Sequence, residues 1–186
     1  MSKKSSFNMV WMDMEMTGLE PDHDVILEIA TVVTDKNLNI LEIGPCLAVH
    51  QSESRLKNMD KWNTDHHTAS GLIERVRASK ISTKKAEELT LQFIKPYGRP
   101  KSMPLCGNSI GQDRRFLYKY MPRLSDYLHF RSIDVTTIKE LLRRWYPERS
   151  LGPKKKKVHL ALSDIQESID ELKFYREHFF ARFPSS

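Results

Sequence analysis

The stretch FNMVWMDMEMTGL, residues 7–19, most constrains how this chain can fold. If it forms a β-strand, alternate side chains share a face, and one face carries Phe7, Met9, Trp11, Asp13 and Glu15. The residues at 17–19 (TGL) then end the strand. Two carboxylates at a strand end can converge on one hard cation. Without such a cation their burial would be costly, because unpaired buried charges are strongly disfavoured. An acidic strand edge without a ligand is the alternative that this stretch leaves open.

The composition predicts one globular domain. The chain has 186 residues, of which 39% are hydrophobic and 29% charged, which suffices for a full hydrophobic core. We expect a flexible tail at 1–6 and a single domain at 7–182, with no apolar run of signal-peptide or membrane-spanning length. The net charge of +6 admits a polyanionic partner. Cys46 and Cys106 lie in apolar contexts, which predicts buried, reduced thiols in the cytoplasm.

The remaining pattern predicts an α/β domain with a mixed sheet. Residues 25–34 (VILEIATVVT) are typical of a strand covered on both faces, and residues 38–49 predict a third strand in an antiparallel meander. A short buried strand is expected at 105–107. Helical spacing predicts helices at 68–79, at 112–121 and at 160–180. Another helix is expected to begin with Ser82 or Thr83 as its cap and to end at Pro96, and a further one at 135–145 has Asp134 as its cap.

Two further acids could join Asp13 and Glu15. Asp113 and Asp164 each fall near the start of a predicted helix, where a negative charge is favourable even without a ligand. His159 precedes Asp164 by five residues, or roughly 140° around a helix, so it could act with Asp164 only from before the helix. Four converging carboxylates would favour Mg²⁺ or Mn²⁺ over zinc. Two such ions, with a neutral histidine as base, suit phosphodiester hydrolysis.

The chain resembles the oligoribonuclease family, which belongs to the DEDD exonucleases of the histidine subtype. The resemblance rests on WMDMEMTGL, MDKW, HTASGL, CGNSIGQDRRFLYKYMPRL, DVTTIKEL and HLALSDIQESIDELKFYR, and spans nearly the whole chain. It implies an RNase-H-like exonuclease fold whose mixed sheet has three antiparallel N-terminal strands and flanking helices. It also implies a cytoplasmic homodimer with 3′-to-5′ exoribonuclease activity. That activity would degrade short single-stranded RNA, from dinucleotides to about pentanucleotides, to 5′-mononucleotides.

The resemblance also implies roles for individual residues. Asp13, Glu15, Asp113 and Asp164 match the ligands of two divalent cations, Mg²⁺ or Mn²⁺, and His159 matches the general base. The substrate-binding positions are Leu19 as a wedge between bases, Trp62 and His67 lining the base pocket, Ser109 and Gln112 near the 3′ nucleotide, and Arg131, Thr136 and Thr137 of a second subunit capping the 5′ phosphate. Aromatic faces stack on any base, and arginine with two hydroxyls suits a phosphate. Without the resemblance, Trp62 would be interpreted as core, Leu19 as turn packing, and the threonines as ordinary first-turn residues.

The chain departs from the family pattern at two places. Phe130 stands where the family usually has a tyrosine with an active-site role. Its position is therefore a second candidate catalytic position, in addition to His159. Phe130 can stack but cannot donate a hydroxyl hydrogen bond. The loop before His159 contains a lysine run at 154–157. This run is interpreted as solvated, with phosphate attraction or nuclear localisation as alternatives.

Two other functions share these sequence features. A proofreading-type exonuclease acting on long DNA 3′ ends would use the same four acids and the histidine. A non-catalytic dimeric RNA-binding module would use only the basic surface. The cap of Arg131, Thr136 and Thr137 favours a closed pocket and hence short substrates, and the intact set of acids favours catalysis.

Overall fold

The sheet of this protein has five strands in the order β3-β2-β1-β4-β5, as seen in a computed structural model that describes residues 4–150, 152 and 161–180. The strands are β1 (Met9–Met16), β2 (Ile26–Thr34), β3 (Ile40–Ala48), β4 (Leu105–Gly107) and β5 (Ser132–Asp134). β1 pairs antiparallel with β2, and β2 pairs antiparallel with β3. β4 lies parallel to both β1 and β5. The predicted mixed sheet with three antiparallel N-terminal strands is confirmed.

Helices flank this sheet and carry most of its connections. Among the described residues they are α1 (Glu53–Lys57), α2 (Lys61–Ala69), α3 (Leu72–Ala78), α4 (Thr83–Ile94), α5 (Gly111–Tyr120), α6 (Pro122–Tyr127), α7 (Val135–Trp145) and α8 (Ala161–His178). Two of the predicted caps are present. Ser82 accepts the Lys85 amide at the start of α4, and Asp134 accepts the Thr136 amide at the start of α7. None of the helices in the described part of the chain is long and apolar enough to cross a membrane.

The two faces of β1 contact different parts of the core. Val10, Met12 and Met14 pack in one cluster with residues of α4 and α5. Met9 and Trp11, on the opposite face, pack with residues of α7 and α8. Every residue of β2 is buried, as expected for a strand covered on both faces. Asp13 and Glu15 therefore continue the face that α8 covers, at the C-terminal end of β1.

Three details of the sequence prediction are wrong. The predicted helix at 68–79 is not continuous. Gly71 has a φ of 70°, which a helix cannot contain, so α2 ends before it and α3 begins after it. Phe7 lies before β1 and is 70% exposed, because the strand starts only at Met9. Cys46 is exposed rather than buried, because β3 is an edge strand whose outer residues are uncovered. Cys106, on the interior strand β4, is buried as predicted.

Candidate active site

Three carboxylates meet at the C-terminal end of β1. Ligand oxygens of Asp13, Glu15 and Asp164 all lie within 4.8 Å of one another. Asp13 and Glu15 share a face of β1, and Asp164 stands in the first turn of α8. Ile165 on α8 belongs to the same core cluster as Trp11 on β1, so packing holds the helix against the strand. This arrangement is compatible with a divalent cation, because hard cations prefer clustered carboxylate oxygens.

Asp113 approaches the same end of β1 from the other side. It lies in the first turn of α5, is 6% exposed, and accepts a hydrogen bond from the Met14 amide at 3.0 Å. Met14 stands between Asp13 and Glu15 in the strand, and the charge of Asp113 acts on Glu15. Asp113 is outside the group of oxygens within 4.8 Å. The structure therefore brings all four predicted acids to one end of β1, with three of them in mutual contact range.

Burial and like charge disfavour ionisation in this cluster. Burial raises the pKa of Glu15 to about 8, with further contributions from the charges of Asp164, Glu28 and Asp113 and a small opposing one from Arg75. Burial also raises the pKa of Asp113 to about 7, against the backbone hydrogen bonds that stabilise its charged form. A bound divalent cation would reverse this penalty, because opposite charge favours the ionised carboxylates.

A buried ion pair lies behind Glu15 and was not predicted. Glu28 on β2 faces Glu15 across the β1–β2 ladder and is almost fully buried. One of its carboxylate oxygens accepts a hydrogen bond from the guanidinium of Arg75 on α3. The sequence does mark Glu28 as unusual, because it is the only charged residue in the otherwise apolar run at 25–34. Its pairing with Arg75 follows only from tertiary structure.

His67 connects the acid cluster to helix α2. Its Nε2 donates to the Met16 carbonyl at 2.9 Å, and its Nδ1 lies 3.9 Å from Glu15 Oε2. Since a carbonyl only accepts, Nε2 carries the hydrogen and Nδ1 presents a lone pair. Burial lowers the pKa of His67, which keeps the ring neutral at pH 7. Trp62, on the same helix, is 67% exposed, so the interpretation of this residue as core is wrong.

The loop after β1 is clamped to helix α5. The Leu19 carbonyl accepts hydrogen bonds from the side chains of Gln112 and Arg115. Arg115 also donates to Gln112 Oε1 at 2.9 Å and pairs with the Glu20 carboxylate at 3.0 Å. The Leu19 side chain itself is 66% exposed, which excludes its interpretation as turn packing. The Leu19 side chain is therefore an exposed apolar group on a loop whose backbone is bonded to α5.

A hydrogen-bonded network surrounds Ser109, which has a φ of 51°. Its amide donates to Asp134 Oδ1 and to Thr136 Oγ1, both at 3.0 Å. The Thr136 hydroxyl is 3.1 Å from Asn108 Oδ1, and Asn108 Nδ2 donates to Ser168 Oγ on α8 at 2.7 Å. Asn108, which sequence reasoning did not single out, thus ties the loop after β4 to both α7 and α8. These hydrogen bonds hold Ser109 against the first turn of α7.

The other predicted positions are exposed or outside the described residues. Phe130 stacks on His129 with ring centroids 4.5 Å apart, and the Arg131 guanidinium lies 5.1 Å from the Phe130 ring centre. Thr137 is exposed in the first turn of α7. His159 and the lysine run at 154–157 lie outside the described residues.

Comparison with known proteins identifies the family. A family model described as an exonuclease matches residues 10–172. An oligoribonuclease of Photorhabdus laumondii is 57% identical over 95% of this chain and 97% of its own length. The chain belongs to the oligoribonuclease family. An oligoribonuclease of Escherichia coli K12 is 58% identical, covering 92% of this chain and 95% of its own.

Solved structures with the same fold include two exonuclease I chains. One, from E. coli in complex with an oligonucleotide, has a TM-score of 0.67 at 15% identity and is matched by 91% of this chain. The other, from Methylocaldum szegediense, has a TM-score of 0.66 at 17% identity and is matched by 92%. This chain covers 40% and 41% of their lengths. The likeness confirms the RNase-H-like exonuclease fold.

Proposed function

We infer that the protein is a 3′-to-5′ exoribonuclease that hydrolyses short oligoribonucleotides to 5′-mononucleotides. The observation that carries this inference is the contact of Asp13, Glu15 and Asp164 within 4.8 Å, in a chain of the oligoribonuclease family. The substrates are single-stranded RNAs from dinucleotides to about pentanucleotides, and the site of action is the cytoplasm.

The four acids fit a pair of divalent cations, Mg²⁺ or Mn²⁺. Without a cation, burial raises the pKa values of Glu15 and Asp113 well above those of ordinary carboxyls, and the charges of Asp164, Glu28 and Asp113 add to the shift at Glu15. Such crowding is stable as four ionised groups only with compensating positive charge. When bound, the cations supply water activation and charge stabilisation on the scissile phosphate.

The chain's own residues hold the substrate and move the proton. His159 takes the proton of the attacking water, a role assigned from the family resemblance. Leu19, on its clamped loop, packs against neighbouring bases, while Trp62 and His67 line the pocket for them. Gln112 and Ser109 lie near the 3′ nucleotide.

A second copy of the chain limits substrate length. In the homodimer, Arg131, Thr136 and Thr137 of the partner cap the 5′ phosphate, because a guanidinium and two hydroxyls can bind several phosphate oxygens at once. Phe130 of the same segment contributes a stacking surface rather than a hydrogen bond. A closed 5′ end admits only a few nucleotides.

Product analysis on a series of substrate lengths tests this function. Diribonucleotides to RNAs of about ten nucleotides, and a DNA strand of about twenty, are incubated with the protein in Mn²⁺ or in EDTA. We expect fastest hydrolysis of the dinucleotide, release of 5′-mononucleotides, and no product in EDTA. Faster cleavage of the long DNA would instead identify a proofreading-type exonuclease. EDTA-insensitive binding without product would identify an RNA-binding module.

A further inference from the structure

Three aromatic rings contact one another in sequence on helix α2, one pair stacked and the other edge to face. Trp62 and His66 are four residues apart, so they lie on one face of the helix. Their ring centroids are 4.9 Å apart and their planes differ by only 4°. His66 in turn meets the edge of His67 at 5.6 Å and 70°. The row of rings runs from the exposed Trp62 to the buried His67, whose Nδ1 is 3.9 Å from Glu15.

The stack gives the Trp62 ring a defined orientation. An exposed side chain usually exchanges between rotamers, and fixing one costs conformational entropy. A parallel contact with the half-buried His66 favours a single ring position and leaves much of the Trp62 surface in solvent. Asp60 accepts the Asn63 amide at the start of α2, so the turn that carries Trp62 is also capped.

We propose that His66 is a positioning residue for substrate binding, which holds the Trp62 ring ready to stack on a nucleobase. This inference rests on the proposed function, because it concerns the binding of the same short RNA. An oriented aromatic face binds a base with a smaller entropic cost than a mobile one. It contributes to binding without contacting the reacting atoms, and it favours purines, which offer the larger stacking surface.

Substitutions at His66 separate this role from a purely structural one. For a 5′-phosphorylated diadenylate, H66A should raise KM by about three- to tenfold, the range expected for an aromatic pair, with kcat unchanged. H66F keeps a stacking ring and should restore the wild-type KM, whereas H66L keeps the bulk without the ring and should not. H178A is the matched control, because His178 stacks on Phe174 at 4.1 Å at the C-terminal end of α8, away from Asp164 in its first turn.

Fluorescence quenching supplies a readout that does not depend on hydrolysis. In a W145F background, the remaining tryptophans are the buried Trp11 and the exposed Trp62. Iodide should quench Trp62 more strongly once H66A frees the covered face of its ring. H66F should restore the original quenching.

Each outcome supports or overturns the inference. A raised KM in H66A and H66L, normal kinetics in H66F and H178A, and increased quenching in H66A support it. An unchanged KM in H66A or H66L, or an equal effect of H178A, overturns it. If H66A fails to fold by circular dichroism, the comparison of H66F with H66L decides. Wild-type protein that leaves the diadenylate intact refutes the proposed function itself, which is a distinguishable result.

Discussion

Replacing Glu15 with glutamine should stabilise the protein in the absence of divalent cations. Burial and neighbouring acids raise the pKa of Glu15 from 4.5 to about 8. The folded state therefore binds more protons than the unfolded state between these two values, and the free energy of unfolding falls as pH rises through this window. Ionisation of Glu15 in the folded state lowers the free energy of unfolding by ~5 kcal/mol. Its uncharged replacement should recover about 3 to 5 kcal/mol at pH 8, and little near pH 4.5.

The assay is urea denaturation followed by circular dichroism in EDTA at several pH values, repeated in MgCl₂. Wild-type stability should fall from pH 4.5 to pH 8 more steeply than that of E15Q. MgCl₂ should stabilise the wild type strongly and E15Q much less, because the cation binds the carboxylate that E15Q lacks. The matched control is E177Q, which removes the same charge from an exposed position on α8.

If E15Q were no more stable than the wild type in EDTA at pH 8, burial and crowding at Glu15 would not destabilise the folded protein, contrary to the prediction. Equal stabilisation of both proteins by MgCl₂ would show that the Glu15 carboxylate does not help to bind the cation. A gain of the same size in E177Q would show that overall charge, rather than crowding at the acid cluster, sets the effect.

Three further substitutions test other parts of the structure. D113N keeps an oxygen for the Met14 amide but loses the charge, so the protein should fold while initial rates on a diribonucleotide fall about 100-fold or more. N108L removes the hydrogen bonds that join α7 and α8 and should lower the free energy of unfolding by about 2 to 3 kcal/mol in urea. G71A should lower the free energy of unfolding by ~1 kcal/mol in the same assay, entirely because of the φ of 70°, since no atom lies within 4 Å of the added Cβ. An unchanged free energy of unfolding in G71A would contradict this.

The positions of Asp13 and Glu15 were predictable because strand periodicity is a property of the backbone. Alternation at β1 puts both carboxylates on one face in any environment. Asp164 and Asp113 were recognisable as helix-start acids, but only packing shows where those helices point. The geometry of Asp113, bonded to the Met14 amide from the opposite side, depends on how α5 meets the sheet.

Helices α1 and α2 were not predicted because their sequences lack an apolar stripe. The buried residue of α2 is His67, a polar residue that periodicity arguments do not count. Similarly, the pairing of Glu28 with Arg75 joins residues 47 positions apart, and strand register places Glu28 opposite Glu15. Neither contact leaves a local pattern. Cys46 was misassigned for a related reason, since exposure depends on which strand lies at the sheet edge.

Carboxylates from β1, α5 and α8 are proposed to bind the divalent cations used for hydrolysis. The most direct measurement counts bound Mn²⁺ per chain by electron paramagnetic resonance, with diribonucleotide hydrolysis assayed on the same samples of wild type and D13A. We expect two ions per wild-type chain, and fewer ions with no measurable hydrolysis in folded D13A. Hydrolysis at the wild-type rate by folded D13A, or wild-type protein that hydrolyses RNA without binding Mn²⁺, would contradict the claim.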